Sequence, residues 1–389
     1  MPSSHAELMI VGTGMAGIGL ARALRRQGDT RSICLISADS GDDYSKPLLS
    51  TGFAKRLPPE RLAQRSADEL ADSLDARVLT QTTVSRLDAA HHSLRLADGQ
   101  ALGYDRLVLA TGAEPRVPMT IPDLLKPRCF TVNNLDDYRR FHRALGATPA
   151  RVAVIGAGLV GCEFANDLHA GGHDVSVIAP DTAPLPRLLP GPLGHALGEA
   201  FTEAGIYLAL GRTLKTMALD DDDSVTLTLD NDASLTVDVL LMATGLVPRT
   251  ALAATAGLHV SASGIHVDRQ LQTSHPAIYA LGDAACVDGV NAMYVQPLQA
   301  SAQALAATLA GAPTPVRFGA WPVIVKTPLL PVVAYPPLQP PERWRIEGEG
   351  RDMTAIAEDI DGRLIGFALT GGCVRRKVEL SRAAPALLG

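Results

Sequence analysis

The feature that most constrains this chain is a glycine-centred stretch, Leu8 to Arg26, that has a second copy further on. An apolar run, Leu8-Met9-Ile10-Val11, meets Gly12-Thr13-Gly14-Met15-Ala16-Gly17. From there the pattern turns helical, with Leu20, Ala21 and Leu24 on one face and Arg22, Arg25 and Arg26 on the other. A buried strand, a tight turn and a helix in this order make a dinucleotide fingerprint. Gly12 makes the turn, Gly14 lets a pyrophosphate approach the backbone, and Gly17 lets the helix pack closely on the strand. The helix N-terminus supplies free N–H groups and partial positive charge for phosphates. The second copy opens with Arg151-Val152-Ala153-Val154-Ile155 running into Gly156-Ala157-Gly158-Leu159-Val160-Gly161.

The two copies also close alike. SLRLADGQALGYDRLVLATG, residues 93–112, aligns without a gap on TLTLDNDASLTVDVLLMATG, residues 226–245, with eight of the twenty positions identical. The reading is α/β: two Rossmann-like dinucleotide-binding domains, duplicated in sequence, plus a small α+β C-terminal domain. Residues 1–115 form the first part of one domain, 116–245 the second domain inserted into it, 246–318 the return to the first, and 319–389 the C-terminal domain. The joints are marked by Glu114-Pro115-Arg116-Val117-Pro118, by Gly146-Ala147-Thr148-Pro149, and by Pro248-Arg249, which mirrors Pro115-Arg116. From Trp321 the texture becomes proline-punctuated and strand-like. Such a region is too small for a nucleotide of its own and is expected to cover a cofactor or form an interface.

After the second strand of each unit the expected acid is missing. Ser37-Ala38 follows the second strand of the first unit, with Asp39 slightly late, and Ala179-Pro180-Asp181 stands at the matching place in the second. Ser37 can hydrogen-bond a ribose, though less strongly than a carboxylate does. Asp181 would repel a 2′-phosphate and Arg187 is the nearest arginine in sequence, so NADH is expected over NADPH. Lys46 follows the first βαβ unit closely enough to meet a diphosphate or a second ring system. Asp283 ends the apolar run Ala277–Leu281, well placed to accept from sugar hydroxyls. The acidic run Asp220–Asp223 reads as a solvated turn, and His91-His92 has no partner at zinc-ligand spacing. No metal is expected.

Net charge is −6, with no long basic run, which argues against nucleic acid or an anionic membrane as partner. No apolar run has the length of a membrane span. The N-terminal apolar stretch lacks a basic leader and breaks into glycines, unlike a signal peptide. Five scattered cysteines, an odd number, fit a reducing compartment, so the expected location is cytoplasmic.

The segments GTGMAG, YSKPLLSTGF, VLATGAEPR, GAGLVGCEFANDL, YALGDAACVDG, YVQPLQA and VKTP occur in an order that resembles the rubredoxin–NAD(+) reductases. These belong with ferredoxin reductases and the apoptosis-inducing factor among the FAD-dependent pyridine nucleotide-disulfide oxidoreductases. The likeness covers nearly the whole chain, and YSKPLLSTGF and GCEFANDL are its narrowest motifs. It implies FAD in the first unit, NAD(H) in the second, and electron transfer from NADH through the flavin to rubredoxin, with the hydride arriving at flavin N5. Residue by residue, it implies that Gly12, Thr13, Gly14, Met15, Ala16 and Gly17 cradle the FAD diphosphate, and that Ser37 and Ala38 lie by its adenosine ribose. Val84 would meet the adenine through its backbone, and Asp283 would hold the ribitol–diphosphate region. Val295 N–H and Lys326 would reach the flavin pyrimidine edge, and Lys46 and Glu163 would form an ion pair near N5. Gly156, Gly158, Gly161, Glu163 and Gly245 would line the NAD site. An NADH-dependent ferredoxin reductase and a redox-switched interaction protein like the apoptosis-inducing factor are the alternatives. Disulfide or peroxide reduction needs a redox cysteine beside the flavin, and neither Cys-x-x-Cys nor Cys-x4-Cys occurs.

Overall fold

Both fingerprints fold as strand, turn and helix. His5–Val11 leads through Gly12-Thr13-Gly14 into the helix Met15–Arg26, and Arg151–Ile155 leads through Gly156-Ala157-Gly158 into the helix Leu159–Ala170. The structure is a computed structural model that describes residues 4–389. Near-continuous apolar strands such as Ile33–Ile36 and Val239–Met242 are buried on both faces, as parallel strands covered by helices must be.

The first sheet runs in the order Arg77–Leu79, Ile33–Ile36, His5–Val11, Ala101–Leu109, all parallel. An antiparallel hairpin, Val84–Asp88 with Ser93–Leu96, hangs from Ala101–Leu109. Ile278–Ala280 also pairs with Ala101–Leu109 in parallel, with Tyr279 opposite Val108. The chain therefore leaves this sheet, builds a second one and comes back. The second sheet is five parallel strands in the order Cys129–Phe130, Val239–Met242, Arg151–Ile155, Asp174–Ala179, Tyr207–Leu210. Its outermost strand, Cys129–Phe130, comes from before the fingerprint, whereas the corresponding strand of the first sheet comes from after the insertion.

The gapless repeat adopts the same hairpin twice with one difference. Ala101–Leu109 is a single strand, but its counterpart divides into Ser234–Val237 and Val239–Met242 at Asp238. There the Arg151 N–H donates to Asp238 Oδ2 at 2.7 Å and its guanidinium Nη2 to Oδ1 at 2.6 Å. The two crossings between the units are zipped together: Ala113–Pro115 pairs antiparallel with Leu246–Pro248, Glu114 opposite Val247. In the Asp220–Asp223 turn, Asp220 and Asp222 accept from the Ser224 hydroxyl, and Asp220 also accepts from Thr226. His92 stacks on Tyr104 with centroids 5.4 Å apart.

The C-terminal region is a five-stranded antiparallel sheet in the order Val323–Val325, Val332–Tyr335, Leu364–Thr370, Asp352–Glu358, Arg343–Glu349, followed by the helix Lys377–Ala383. One side of it does not stand apart. Val325, Leu330, Val332, Ala334, Ala355 and Ala368 share a hydrophobic core with Phe164 and Phe201 of the second unit and with Leu49 and Phe53 of the first. Three parts of the chain thus meet over a single apolar cluster.

Candidate functional site

Within each fingerprint the glycines separate into two kinds. Gly12 has φ of +120°, and a Cβ there would collide with the Ala110 carbonyl; a Cβ on Gly17 would collide with the carbonyl of Gly12. These two are required by the close approach of strand and helix. Gly14 is different: a Cβ added there meets nothing within 4 Å. Gly156, Gly158 and Gly161 repeat the pattern, with Gly158 the open one. The helices that follow have no side-chain cap and no acidic residue in the first turn. Their leading N–H groups, including those of Met15 and Ala16, face outward without intrahelical partners. An open glycine before an uncapped helix N-terminus fits a diphosphate in both units.

The tip of the second strand in the first unit is assembled from separate segments. Thr13 Oγ1 donates to Ser37 Oγ at 2.7 Å, and the Ser37 hydroxyl donates in turn to Asp39. Thr82 N–H donates to Ser37 O at 2.7 Å, which draws the turn before Val84 to the end of the second strand. Ser37 is buried and Ala38 exposed. The late acid, Asp39, is held by the Ser37 hydroxyl and by Gly41 N–H at 3.0 Å, so it orders the loop.

At the junction of the three parts the structure corrects one expectation. Glu163 does not pair with Lys46. Its carboxylate, 8% exposed, pairs with Lys326 and also accepts from the Ser50 hydroxyl at 2.8 Å and from Lys326 N–H at 3.1 Å. The Lys326 ammonium is held by protein groups on three sides. It donates to Pro47 O and Ser50 Oγ, both at 2.8 Å, and to Glu163, and an ammonium has only three hydrogens to give. Lys46 instead donates to Asn133 Oδ1 at 2.7 Å, while Asn133 Nδ2 donates to Ala113 O at 2.9 Å. The reason is the helix Leu159–Ala170, which presents Glu163, Asn166 and Asp167 on one face. Asp167 accepts from Phe53 N–H at 3.1 Å and Ala54 N–H at 2.9 Å, and Asn166 from Leu329 N–H at 3.2 Å. YSKPLLSTGF, GCEFANDL and VKTP are therefore one hydrogen-bonded junction. Ser50, Asn166 and Asp167 went unnoticed in the sequence, although three polar residues at i, i+3 and i+4 in a buried helix were a legible signal. Asn133 lies in no motif and carried no signal.

Lys46 is left facing Asp283. Burial pushes the Lys46 ammonium below its usual range while Asp283 holds it up; burial pushes the Asp283 carboxyl above its usual range while Lys46 holds it down. Among the described residues no hydrogen bond reaches the Asp283 carboxylate. A desolvated carboxylate without a donor, opposite a desolvated lysine, fits a ligand rich in hydroxyls and phosphate. Val295 opens the helix Val295–Leu309 at the same end, again with no acid in the first turn and no side-chain cap. Gly245 sits at the end of the second sheet with φ of +108° and open space around its α-carbon. Burial pushes the Tyr294 phenol, beside Val295, above its usual range, with the Arg187 charge opposing it.

The thiol nearest this junction, Cys162, is unsuited to nucleophilic chemistry. It is fully buried, donates to Ala157 O at 3.2 Å, and burial pushes it up to about 12. All five cysteines are free. No helix among the described residues is long and apolar enough to cross a membrane.

Comparison with known proteins agrees with this geometry. Residues 6–308 match the pyridine nucleotide-disulphide oxidoreductase family, and residues 315–384 match a rubredoxin binding C-terminal domain. A rubredoxin-NAD(+) reductase of Alcanivorax borkumensis is 40% identical over 98% of this chain and 99% of its own length. A nitric oxide reductase FlRd-NAD(+) reductase of Citrobacter koseri is 35% identical over 97% of this chain and 99% of its own. Among solved structures, the covalent putidaredoxin reductase–putidaredoxin complex superposes with a TM-score of 0.88 and 26% identity, over 98% of this chain and 94% of that one. The chain belongs to the pyridine nucleotide-disulphide oxidoreductase family, as a two-dinucleotide-domain flavoprotein using FAD and NAD(H).

Proposed function

We propose that this chain is an NADH-dependent rubredoxin reductase, with FAD in the first unit and the pyridine nucleotide in the second. The observation that carries the choice of acceptor is the match of residues 315–384 to a rubredoxin binding domain, because the sheet of that region is joined to the site through Lys326 and Glu163. Bound FAD supplies two-electron acceptance from NADH and one-electron donation to the iron partner.

The chain's own residues bind and position. The N–H groups of Met15 and Ala16 hold the FAD diphosphate against the open face of Gly14, and Ser37 and Thr82 frame its adenosine. Asp283 accepts from hydroxyls and Lys46 offers its charge to the same ligand. Val295 N–H meets the pyrimidine edge at a helix N-terminus, where negative charge is favoured. The open face of Gly158 receives the second diphosphate. Glu163, Ser50 and Lys326 keep the two dinucleotide units and the C-terminal sheet in fixed register, so that hydride donor and acceptor meet in a constant geometry. A cytoplasmic location is supported by five unpaired thiols.

The purified protein should be yellow, with FAD at about one per chain, as only one of two sites binds a resident cofactor. Stopped-flow reduction of rubredoxin and of a plant-type ferredoxin, side by side, tests the acceptor. Rubredoxin should be faster; a faster rate with ferredoxin reassigns the partner.

A further inference from the structure

The motif Ala-Thr-Gly-x-x-Pro-Arg occurs twice, at residues 110–116 and 243–249, and each copy bonds to the other across the join between the units. Thr111 Oγ1 donates to Arg249 O at 3.0 Å, and Arg249 N–H donates to Gly112 O at 2.9 Å. Reciprocally, Thr244 Oγ1 donates to Arg116 O, and Arg116 N–H donates to Gly245 O at 2.9 Å. The two hydroxyls thus reach carbonyls 138 and 128 residues away in sequence. A threonine that served only its own strand end would bond locally or to solvent.

Between these contacts lies the ribbon of Ala113–Pro115 and Leu246–Pro248. It is weak by itself, with three residues in each strand and in each strand a proline that lacks an N–H. The Glu114–Arg249 ion pair, at 3.6 Å, is about half exposed on both partners and adds little. The ends of the ribbon therefore carry the join. Thr111 holds the end at the first sheet, directly after Ala110, whose carbonyl a Cβ on Gly12 would strike. Thr244 holds the end at the second sheet, directly after Ala243, whose carbonyl stands in the same relation to Gly156. Ala113 O in the ribbon also accepts from Asn133, which holds Lys46. A tilt of the ribbon is felt at both fingerprint turns and at Lys46.

We propose that the Thr111 and Thr244 hydroxyls are positioning groups for hydride transfer, clamping the ribbon at its two ends and so fixing the angle between the dinucleotide units. The inference rests on the reading that FAD occupies the first unit and NADH the second. Neither hydroxyl needs to touch the hydride that leaves NADH, as NAD+ forms and the flavin gains two electrons. The clamps act in series, one fastening the ribbon to the first unit and one to the second. Loosening either lets donor and acceptor drift apart, and loosening both compounds the drift. Rates are sensitive to this, since a displacement of about 1 Å can slow a positioned reaction about 100-fold.

Thr111→Val and Thr244→Val keep the side-chain shape and remove the donor, whereas Thr111→Ser and Thr244→Ser keep the donor. These four, the double valine variant and wild type are compared with FAD bound. Anaerobic stopped-flow reduction over a range of NADH concentrations separates the limiting rate from the NADH dissociation constant. Hydrogen–deuterium exchange reads the ribbon amides without turnover. Each valine variant should lower the limiting rate about fivefold, the scale of one hydrogen bond, with the dissociation constant within about twofold of wild type. The double variant should be about 25-fold slower, as clamps in series multiply. The serine variants should run near the wild-type rate. Exchange should quicken at Arg249 N–H in Thr111→Val and at Arg116 N–H in Thr244→Val. Limiting rates within about twofold of wild type in both valine variants, equal slowing in the serine variants, or a loss confined to the dissociation constant overturns the proposal. Failure of the wild type to be reduced by NADH would instead strike at the assignment of the second unit.

Discussion

Replacing Lys326 with Met removes the ammonium and keeps most of the stem. Glu163 then remains at 8% exposure with the Ser50 hydroxyl and one backbone N–H as its only donors. Removing one partner of a fully buried pair costs about 3–5 kcal/mol. Lys326 is 28% exposed, so solvent screens part of this, and about 2–3 kcal/mol is the expected loss. At about 2 cal/mol/K per residue, a 389-residue chain unfolding as one unit changes by about 0.8 kcal/mol per degree, which places the shift near 3 °C. Release of flavin fluorescence on heating measures it. Because the same lysine donates to Pro47 O and Ser50 Oγ, the 46–51 segment loosens too, and stopped-flow flavin reduction by NADH should slow. The double variant Lys326→Met/Glu163→Gln no longer holds an unpaired buried charge and should regain more than half of the lost stability. A midpoint shift under about 1 °C in Lys326→Met, with an unchanged reduction rate, would show that the junction does not depend on this pair.

Gly12→Ala should fail to fold, since its Cβ meets the Ala110 carbonyl, whereas Gly14→Ala should fold and lose FAD and Gly158→Ala should keep FAD and raise the KM for NADH; circular dichroism, bound flavin and kinetics separate the three. His142 and His173 flank the Phe53 ring at 5.5 and 5.7 Å, and burial holds both below the usual imidazole range, with Glu60 partly opposing this for His142. A lowered folded-state value means the unfolded chain binds more protons just below pH ~6.5, so the thermal midpoint should fall as pH drops through that value and the loss should continue to the folded-state values. His173→Asn with His142→Gln should flatten the profile; Asp167 and Asp283, raised by burial, act with the opposite sign and at lower pH. Arg376 is engaged by Glu347 and Glu379, while Arg375 spends only Nε on Gly372 O. Arg375 lies within residues 315–384, which match a rubredoxin binding domain, so Arg375→Glu should raise the KM for rubredoxin at low salt and leave flavin reduction by NADH unchanged; equal KM values would remove Arg375 from the docking surface.

The two-unit plan was legible in the sequence because it rests on local rules. Apolar runs before Gly12 and Gly156 could only be buried strands, glycine at those positions could only be a tight approach, and the matching Ala-Thr-Gly endings made the duplication visible. The return to the first sheet at Ile278–Ala280 followed from the same logic. The partners of Glu163 were another matter. Its three donors come from residues 50 and 326, and whether residue 46 or residue 326 supplies the lysine depends on how the C-terminal sheet seats against the helix Leu159–Ala170. Asn133, which claims Lys46, is likewise set by its place between the two units. Arg212 comes beside Ala179 only because the third strand lies next to the second in the parallel sheet. Sequence alone determined which segments become strands, turns and helices, since those depend on near neighbours and periodicity. Only the tertiary structure decided which charges meet, because an ion pair is chosen by the few ångströms between groups hundreds of residues apart.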